Sequence, residues 1–388
     1  MTEVLIIGGG IIGLAIAREL RRKGVEKVKI LEKNSACGME ASNAAAGMLA
    51  PQAEADKADD FFDFCQASRD LYPNFAKELF AETGVNIELD QTGTLYLAFT
   101  EKDAEELENR FAWQTQANLP VEKLTAKEVL QIEPNISEKV LFGLRFPMDW
   151  QVENRKIIEA FVRAKSEFVK SEVRSLIIEN NKVIGVETDI EKFYAPIVII
   201  ASGAWTSLIK DKLNLLSNIK VKPIRGQMIA FKDYGKLFRH VIYNRRGYAV
   251  PRKDCRILVG ATVADVGFDS RSTSAETASL LNVAFEISPA FERLSLKKTW
   301  AGLRPFADDG LPILGAFPEV ENLFIATAHY RNGILLAPLT AKILADKITG
   351  NAESKYLEIF SPRRFQKLAV SRFLQISLLT LCVNYFYL

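Results

Sequence analysis

The stretch "VLIIGGGIIGLAIAREL", residues 4–20, decides how the chain folds. Val4 to Ile7 is a short apolar run, the pattern of a strand buried on both faces. Gly8, Gly9 and Gly10 read as a turn, and Leu14 to Lys23 as a helix that stops at Gly24. "VKILEK", residues 28–33, supplies a second strand ending in Glu32. Strand, glycine turn, helix and strand make a βαβ unit, so a parallel sheet is expected.

Gly8, Gly10 and Gly13 fit the G-x-G-x-x-G pattern. The first glycine permits the tight turn, the second lets backbone approach a pyrophosphate, and the third lets the helix pack on the sheet. The helix N-terminus then offers free N–H groups and the positive end of its dipole to phosphates. Glu32 stands 19 positions after Gly13, where a carboxylate accepts hydrogen bonds from ribose hydroxyls and repels a 2′-phosphate. An adenine dinucleotide is therefore expected. No second fingerprint follows. Instead "NSACGMEASNAAAGMLAP", residues 34–51, is rich in Gly, Ala and Ser. Small residues there let backbone lie close to a second large ligand portion, which favours the flavin end of FAD over NAD.

Further along, residues 60–82 and 101–113 read as helices joined by the strand-like "GTLYLAF", 93–99. "EVRSLIIENNKVIGVET", 172–188, reads as a hairpin around Asn180-Asn181-Lys182. "PIVIIASGAW", 196–205, is another apolar strand. "VKPIRGQMIAF" (221–231), "HVIYNRRGYAVP" (240–251) and "RILVGATV" (256–263) form an antiparallel block of the kind that faces a cavity on one side. Residues 322–348 return to strand, glycine turn and helix. The expected fold class is α/β (α+β, two domains). A Rossmann-like FAD-binding domain (1–83, 145–215 and 300–365) interleaves with an antiparallel-sheet substrate domain (84–144 and 216–299).

Composition agrees with a globular chain. The 388 residues suit two domains, and 48% hydrophobic with 25% charged content is ordinary for a folded interior and a charged surface. A net charge of +2 gives no basic surplus for nucleic acid. With two histidines, His240 and His329, a histidine-built metal site is not expected, and the four cysteines, Cys37, Cys65, Cys255 and Cys382, lack metal spacing. They suit reduced thiols in the cytoplasm. The apolar run 373–388, within a tail of 366–388, is shorter than the ~20 residues a spanning helix needs. It reads as a helix packed on the body or on a partner subunit, ahead of the alternative of a membrane-surface anchor.

The segments "IIGGGIIGLAIAREL", "EASNAAAGMLAPQAE", "ASGAW", "PIRGQM", "GYAVPR", "GATV", "WAGLRPFADDGLPILG" and "HYRNGILLAP" together resemble the D-amino-acid oxidase family of FAD-dependent amine oxidoreductases. Within it, the chain is most similar to the bacterial glycine oxidase branch linked to thiamine biosynthesis. The resemblance runs from Met1 to about Phe365. It implies that Arg304 of "GLRP" pairs with a substrate carboxylate, which the guanidinium fork suits. It implies that the Tyr248 hydroxyl contacts the same carboxylate and that Arg331 lies near flavin and substrate. It places Gly333 and Ile334 at a helix N-terminus facing the flavin, where N–H groups favour negative charge. The implied cofactor residues are Gly8, Gly10, Ile11, Ile12, Gly13, Glu32, Lys33, Ser42, Ala45, Ala46, Gly47, Met48, Val173, Ser202, Gly203, Trp205, Arg331, Asn332, Gly333, Ile334 and Leu335. No metal is implied.

Each role has a plainer rival. Arg304 could hold a structural salt bridge, Tyr248 could be core with a polar tip, and Arg331 could pair with a Glu or Asp. His329 reads as a satisfied structural histidine rather than a base. No cysteine lies near "GLRP", where related enzymes tether flavin, so FAD is expected to be non-covalent. The implied reaction is oxidative deamination of glycine, sarcosine or a small D-amino acid, with O2 as acceptor and a homo-oligomer, a tetramer by resemblance. The alternatives are a quinone-linked dehydrogenase of D-amino acids or proline-type amines, and a non-redox flavin-binding protein.

Overall fold

The structure, a computed structural model, describes residues 2–164, 167–350 and 352–365. The apolar tail lies outside the described residues. Two sheets organise the fold.

The first has six strands, in the order Ile313–Ala316, Leu323–Thr327, Ile197–Ile200, Val4–Ile7, Val28–Glu32 and Phe168–Lys170. Its pairings are parallel except the edge hairpin of the first two strands. Val4–Ile7 sits near the centre because it is apolar on both faces. Val4 and Ile6 pack into the core shared with the fingerprint helix. Leu5 and Ile7 pack into the core under the hairpin Val173–Glu179 and Lys182–Thr188. Burying each such side chain contributes about 1.5–3 kcal/mol.

The fingerprint helix spans Ile11–Arg22, three residues earlier than the sequence suggested. Glycines on both sides disguise Ile11 and Ile12 as turn. Gly13 allows the helix to start this close to the strand, because a Cβ there would meet the Gly8 carbonyl oxygen at 2.0 Å. Gly24 ends it with φ +88°, as expected. The hairpin turn is also tighter than expected. Asn180 and Asn181 both adopt positive φ, and Lys182 already pairs with Glu179.

Residues 60–82 form two helices, Asp60–Asp70 and Tyr72–Thr83, rather than one. Pro73 lacks the N–H that the Arg69 carbonyl would need, so the chain breaks at Leu71. Both helices brace the long helix Gly333–Thr349, which also packs on Ile11–Arg22. That long helix contains Pro338, which cannot donate to the Ile334 carbonyl. The Tyr72 hydroxyl donates to the Ile334 carbonyl instead, and Ser68 Oγ donates to Leu335 O at 2.7 Å.

The second sheet has eight strands, in the order Ser295–Phe306, Lys222–Lys232, Arg256–Gly260, Gly247–Pro251, Val241–Asn244, Thr94–Ala98, Phe142–Phe146 and Glu122–Thr125. The expected antiparallel block is there, but Val241–Asn244 pairs parallel with Thr94–Ala98. One face buries Ile229, Phe231, Val259 and Ala249 under the helix Ser274–Ile287. The opposite face carries a row in register across the strands: Trp300, Met228, Gly260, Tyr248, Tyr243 and Tyr96. From this row Met228 and Tyr248 line a long cavity that reaches the first sheet's glycine turn.

Candidate active site

One end of the cavity is the glycine turn. A Cβ on Gly8 would come within 2.5 Å of the Ala201 carbonyl oxygen, so only glycine permits this close crossing of two strands. The helix Ile11–Arg22 has no acid in its first turn, so its dipole is left for an external anion. Ser42 Oγ accepts the Ile11 N–H at 2.9 Å and ties the small-residue loop to the helix start. Glu32 is buried at the strand end. Its Oε2 accepts the Gly9 N–H at 2.8 Å, and its Oε1 accepts the Asn34 N–H at 2.9 Å. A carboxylate oxygen accepts more than one donor, so Glu32 retains capacity for a ribose hydroxyl. These features fit an adenine dinucleotide. Lys33 lies 3.4 Å from the Trp205 ring centroid and pairs with Glu40 at 3.0 Å.

The other end is made by the eight-stranded sheet and the start of the helix Gly333–Thr349. Arg304, on strand Ser295–Phe306, donates to the Thr262 carbonyl at 3.0 Å and to the Arg225 carbonyl at 3.4 Å. Its guanidinium lies over Gly226. Among the described residues, no carboxylate comes within ion-pair distance of Arg304. Backbone carbonyls orient this cation without neutralising it. Tyr248 is 6% exposed, and its hydroxyl lies 4.0 Å from the Met228 sulfur and within reach of the Arg304 guanidinium. Burial pushes the phenol pKa up while Arg304 opposes that shift, so the hydroxyl stays a proton donor beside a cation.

Arg331 differs. Its Nη2 donates to Glu54 Oε1 at 2.9 Å and to the Tyr243 hydroxyl at 2.8 Å. Tyr243 in turn donates to the same Glu54 oxygen at 2.7 Å. Glu54 holds Arg331 firmly charged, so the acid-pairing rival for this residue is what the geometry shows. His329 is buried beside Thr340 Oγ, 3.2 Å from Nε2, and burial alone lowers its pKa to about 3. Burial thus favours its neutral form.

Of the residues named from the sequence, all but two line this cavity. Gly13 packs beneath the Gly8 carbonyl, and Leu335 turns its carbonyl to Ser68. The cavity also takes Glu54, Gly226, Met228 and Tyr330, which sequence reasoning did not single out. Glu54 ends a short helix, Pro51–Glu54, and no local pattern marks it as facing a site. Gly226 and Met228 stand in a quoted segment, but their strand alternation is shared by every strand around them.

Residues 3–347 match the family model for FAD dependent oxidoreductases (DAO). The chain is 34% identical over 373 residues to a glycine oxidase of Geobacillus kaustophilus (strain HTA426), covering 93% of this chain and 97% of that protein. It is 35% identical to a bifunctional protein ThiO/ThiG of Trichormus variabilis, covering 95% of this chain but 56% of that longer protein. The crystal structure of glycine oxidase from Geobacillus kaustophilus superposes with a TM-score of 0.86 at 33% identity, covering 92% of this chain and 97% of that one. The chain belongs to the FAD-dependent oxidoreductase (DAO) family.

Proposed function

We propose that this protein is an FAD-dependent glycine oxidase serving thiamine biosynthesis. It converts glycine, O2 and water to glyoxylate, ammonia and hydrogen peroxide. The observation that carries the reading is the unpaired Arg304 beside the Tyr248 hydroxyl, at the far end of a cavity that begins in a dinucleotide cradle. The relatives named above support the substrate, and the similarity to a ThiO/ThiG protein supports the pathway.

The two units divide the work. The six-stranded sheet with the glycine turn holds the dinucleotide, and the eight-stranded sheet holds the amino acid. Bound FAD supplies hydride acceptance from the substrate Cα and reoxidation by O2. The protein's own groups bind and orient. The start of helix Ile11–Arg22, where Gly10 and Ile12 line the cavity, would hold the pyrophosphate, and Glu32 would take ribose hydroxyls. Arg304 and Tyr248 grip the substrate carboxylate and fix Cα in the reacting geometry. The N-terminus of helix Gly333–Thr349 carries no acid and no side-chain cap, so its positive end favours negative charge on that side of the cavity. The substrate amine is oxidised in its neutral form, and the resulting imine is hydrolysed by water. No cysteine lines the cavity among the described residues, which supports non-covalent FAD.

The test is anaerobic bleaching of the bound flavin across a panel of glycine, sarcosine and small D-amino acids, followed by air and peroxide detection. Bleaching by glycine with stoichiometric peroxide is expected. A flavin that no amine bleaches would sink the proposal, and bleaching without peroxide would move it to a dehydrogenase.

A further inference from the structure

Two arginines line the Tyr248 end of the cavity, and only one is ion-paired. Tyr248 packs on Tyr243 with ring centroids 5.5 Å apart, and the Tyr243 hydroxyl is bonded to both Arg331 and Glu54. Glu54 is held firmly. It ends the helix Pro51–Glu54, whose first turn donates Gln52 N–H and Ala53 N–H to buried Asp149 at 3.1 and 2.7 Å. Tyr243 donates to its Oε1 from the other side. Its side chain is 18% exposed and lies 2.9 Å from Arg331 Nη2.

The geometry points to Glu54 as the residue that sets how many acidic groups a substrate carries. By neutralising Arg331 it leaves one free cation, Arg304, and therefore room for one carboxylate. A second acidic group reaching past Tyr248 meets the Glu54 carboxylate rather than an available guanidinium. Like charges in a partly desolvated site repel, and discrimination arises from that repulsion as much as from attraction. The inference rests on the proposed function, because it takes Arg304 as the carboxylate site.

The two are tested together but separately readable. The holoenzyme is titrated with acetate and with malonate, followed by perturbation of the flavin spectrum. The variants are Glu54→Gln, Glu54→Asp, Arg304→Met and the double variant Glu54→Gln/Arg331→Met. Glutamine keeps acceptors for Tyr243 and Arg331 and removes only the charge. Glu54→Gln is expected to tighten malonate by about tenfold or more while acetate changes by less than about twofold. Glu54→Asp is expected to keep the wild-type preference, and the double variant to lose the gain. An unchanged malonate-to-acetate ratio in Glu54→Gln, or a gain that survives removal of Arg331, overturns the assignment. Should Glu54→Gln lose flavin, Glu54→Ala carries the same comparison. Arg304→Met reports on the carboxylate site itself. Acetate binding undiminished there refutes the proposed clamp whatever Glu54 does. In turnover, Glu54→Gln is expected to raise kcat/KM for N-(carboxymethyl)glycine relative to glycine by a similar factor.

Discussion

Arg304 lies so close over Gly226 that a Cβ on residue 226 would sit 2.1 Å from its guanidinium. The glycine is what allows a charged side chain to lie flat across the neighbouring strand and reach the Thr262 carbonyl. Gly226→Ala is expected to displace the flexible end of Arg304 rather than unfold the sheet. KM for glycine should rise by about tenfold or more, with flavin content unchanged. Steady-state kinetics with a flavin-to-protein ratio checks this, and an unaltered KM contradicts it.

Arg304→Ala removes the free cation altogether. Losing a charge-assisted bidentate contact costs about 2–5 kcal/mol, so kcat/KM for glycine should fall by about thirtyfold or more. FAD should remain bound, because the dinucleotide cradle is at the other end of the cavity. Unchanged kinetics would remove Arg304 from the site.

Stability should depend on pH through His329. Its folded pKa is depressed to about 3 from 6.5 by burial. Below pH 6.5 the unfolded chain takes up a proton that the fold refuses, so stability falls as the pH falls toward about 3. Above 6.5 the contribution is fully present. The slope is about 1.4 kcal/mol per pH unit within that window. Urea midpoints at pH 7.5 and 5 for wild type and His329→Gln provide the check. A variant that loses as much stability as wild type on acidification contradicts the assignment.

Tyr72→Phe should destabilise the protein by about 1–3 kcal/mol, because it orphans the buried Ile334 carbonyl that Pro338 has already deprived of its helical donor. Thermal unfolding of the holoprotein measures it. A melting temperature equal to wild type would mean that the carbonyl finds another donor.

Acid precipitation of purified protein should release all its yellow colour. Flavin retained in the protease-digested pellet would show a covalent bond that the cavity lining gives no cysteine to form.

The opening βαβ unit was legible because its signals are local. Val4 to Ile7, the glycines and Glu32 each specify backbone conformation or burial within about thirty residues, and the structure places them where that pattern requires. Local signals also misled. Ile11 and Ile12 looked like turn, and the apolar pattern of residues 60–82 hid the break that Pro73 imposes. Glu54 went unseen because it acts on a residue 277 positions away.

Sequence alone established the dinucleotide turn, the exclusion of a 2′-phosphate by Glu32, and the pair Arg304 and Tyr248 as residues suited to a carboxylate. The first two follow from side-chain chemistry and short-range geometry, and the third from the family resemblance of the "GLRP" and "GYAVPR" segments. Sequence left open whether Arg304 holds a structural salt bridge and whether Arg331 pairs with a Glu or Asp. Only the tertiary structure separated them. It brings Glu54 and Tyr243 to Arg331 and gives Arg304 carbonyl oxygens and the Tyr248 phenol, with no carboxylate among the described residues. A cation's availability depends on the charges that folding gathers around it, and those lie far apart along the chain.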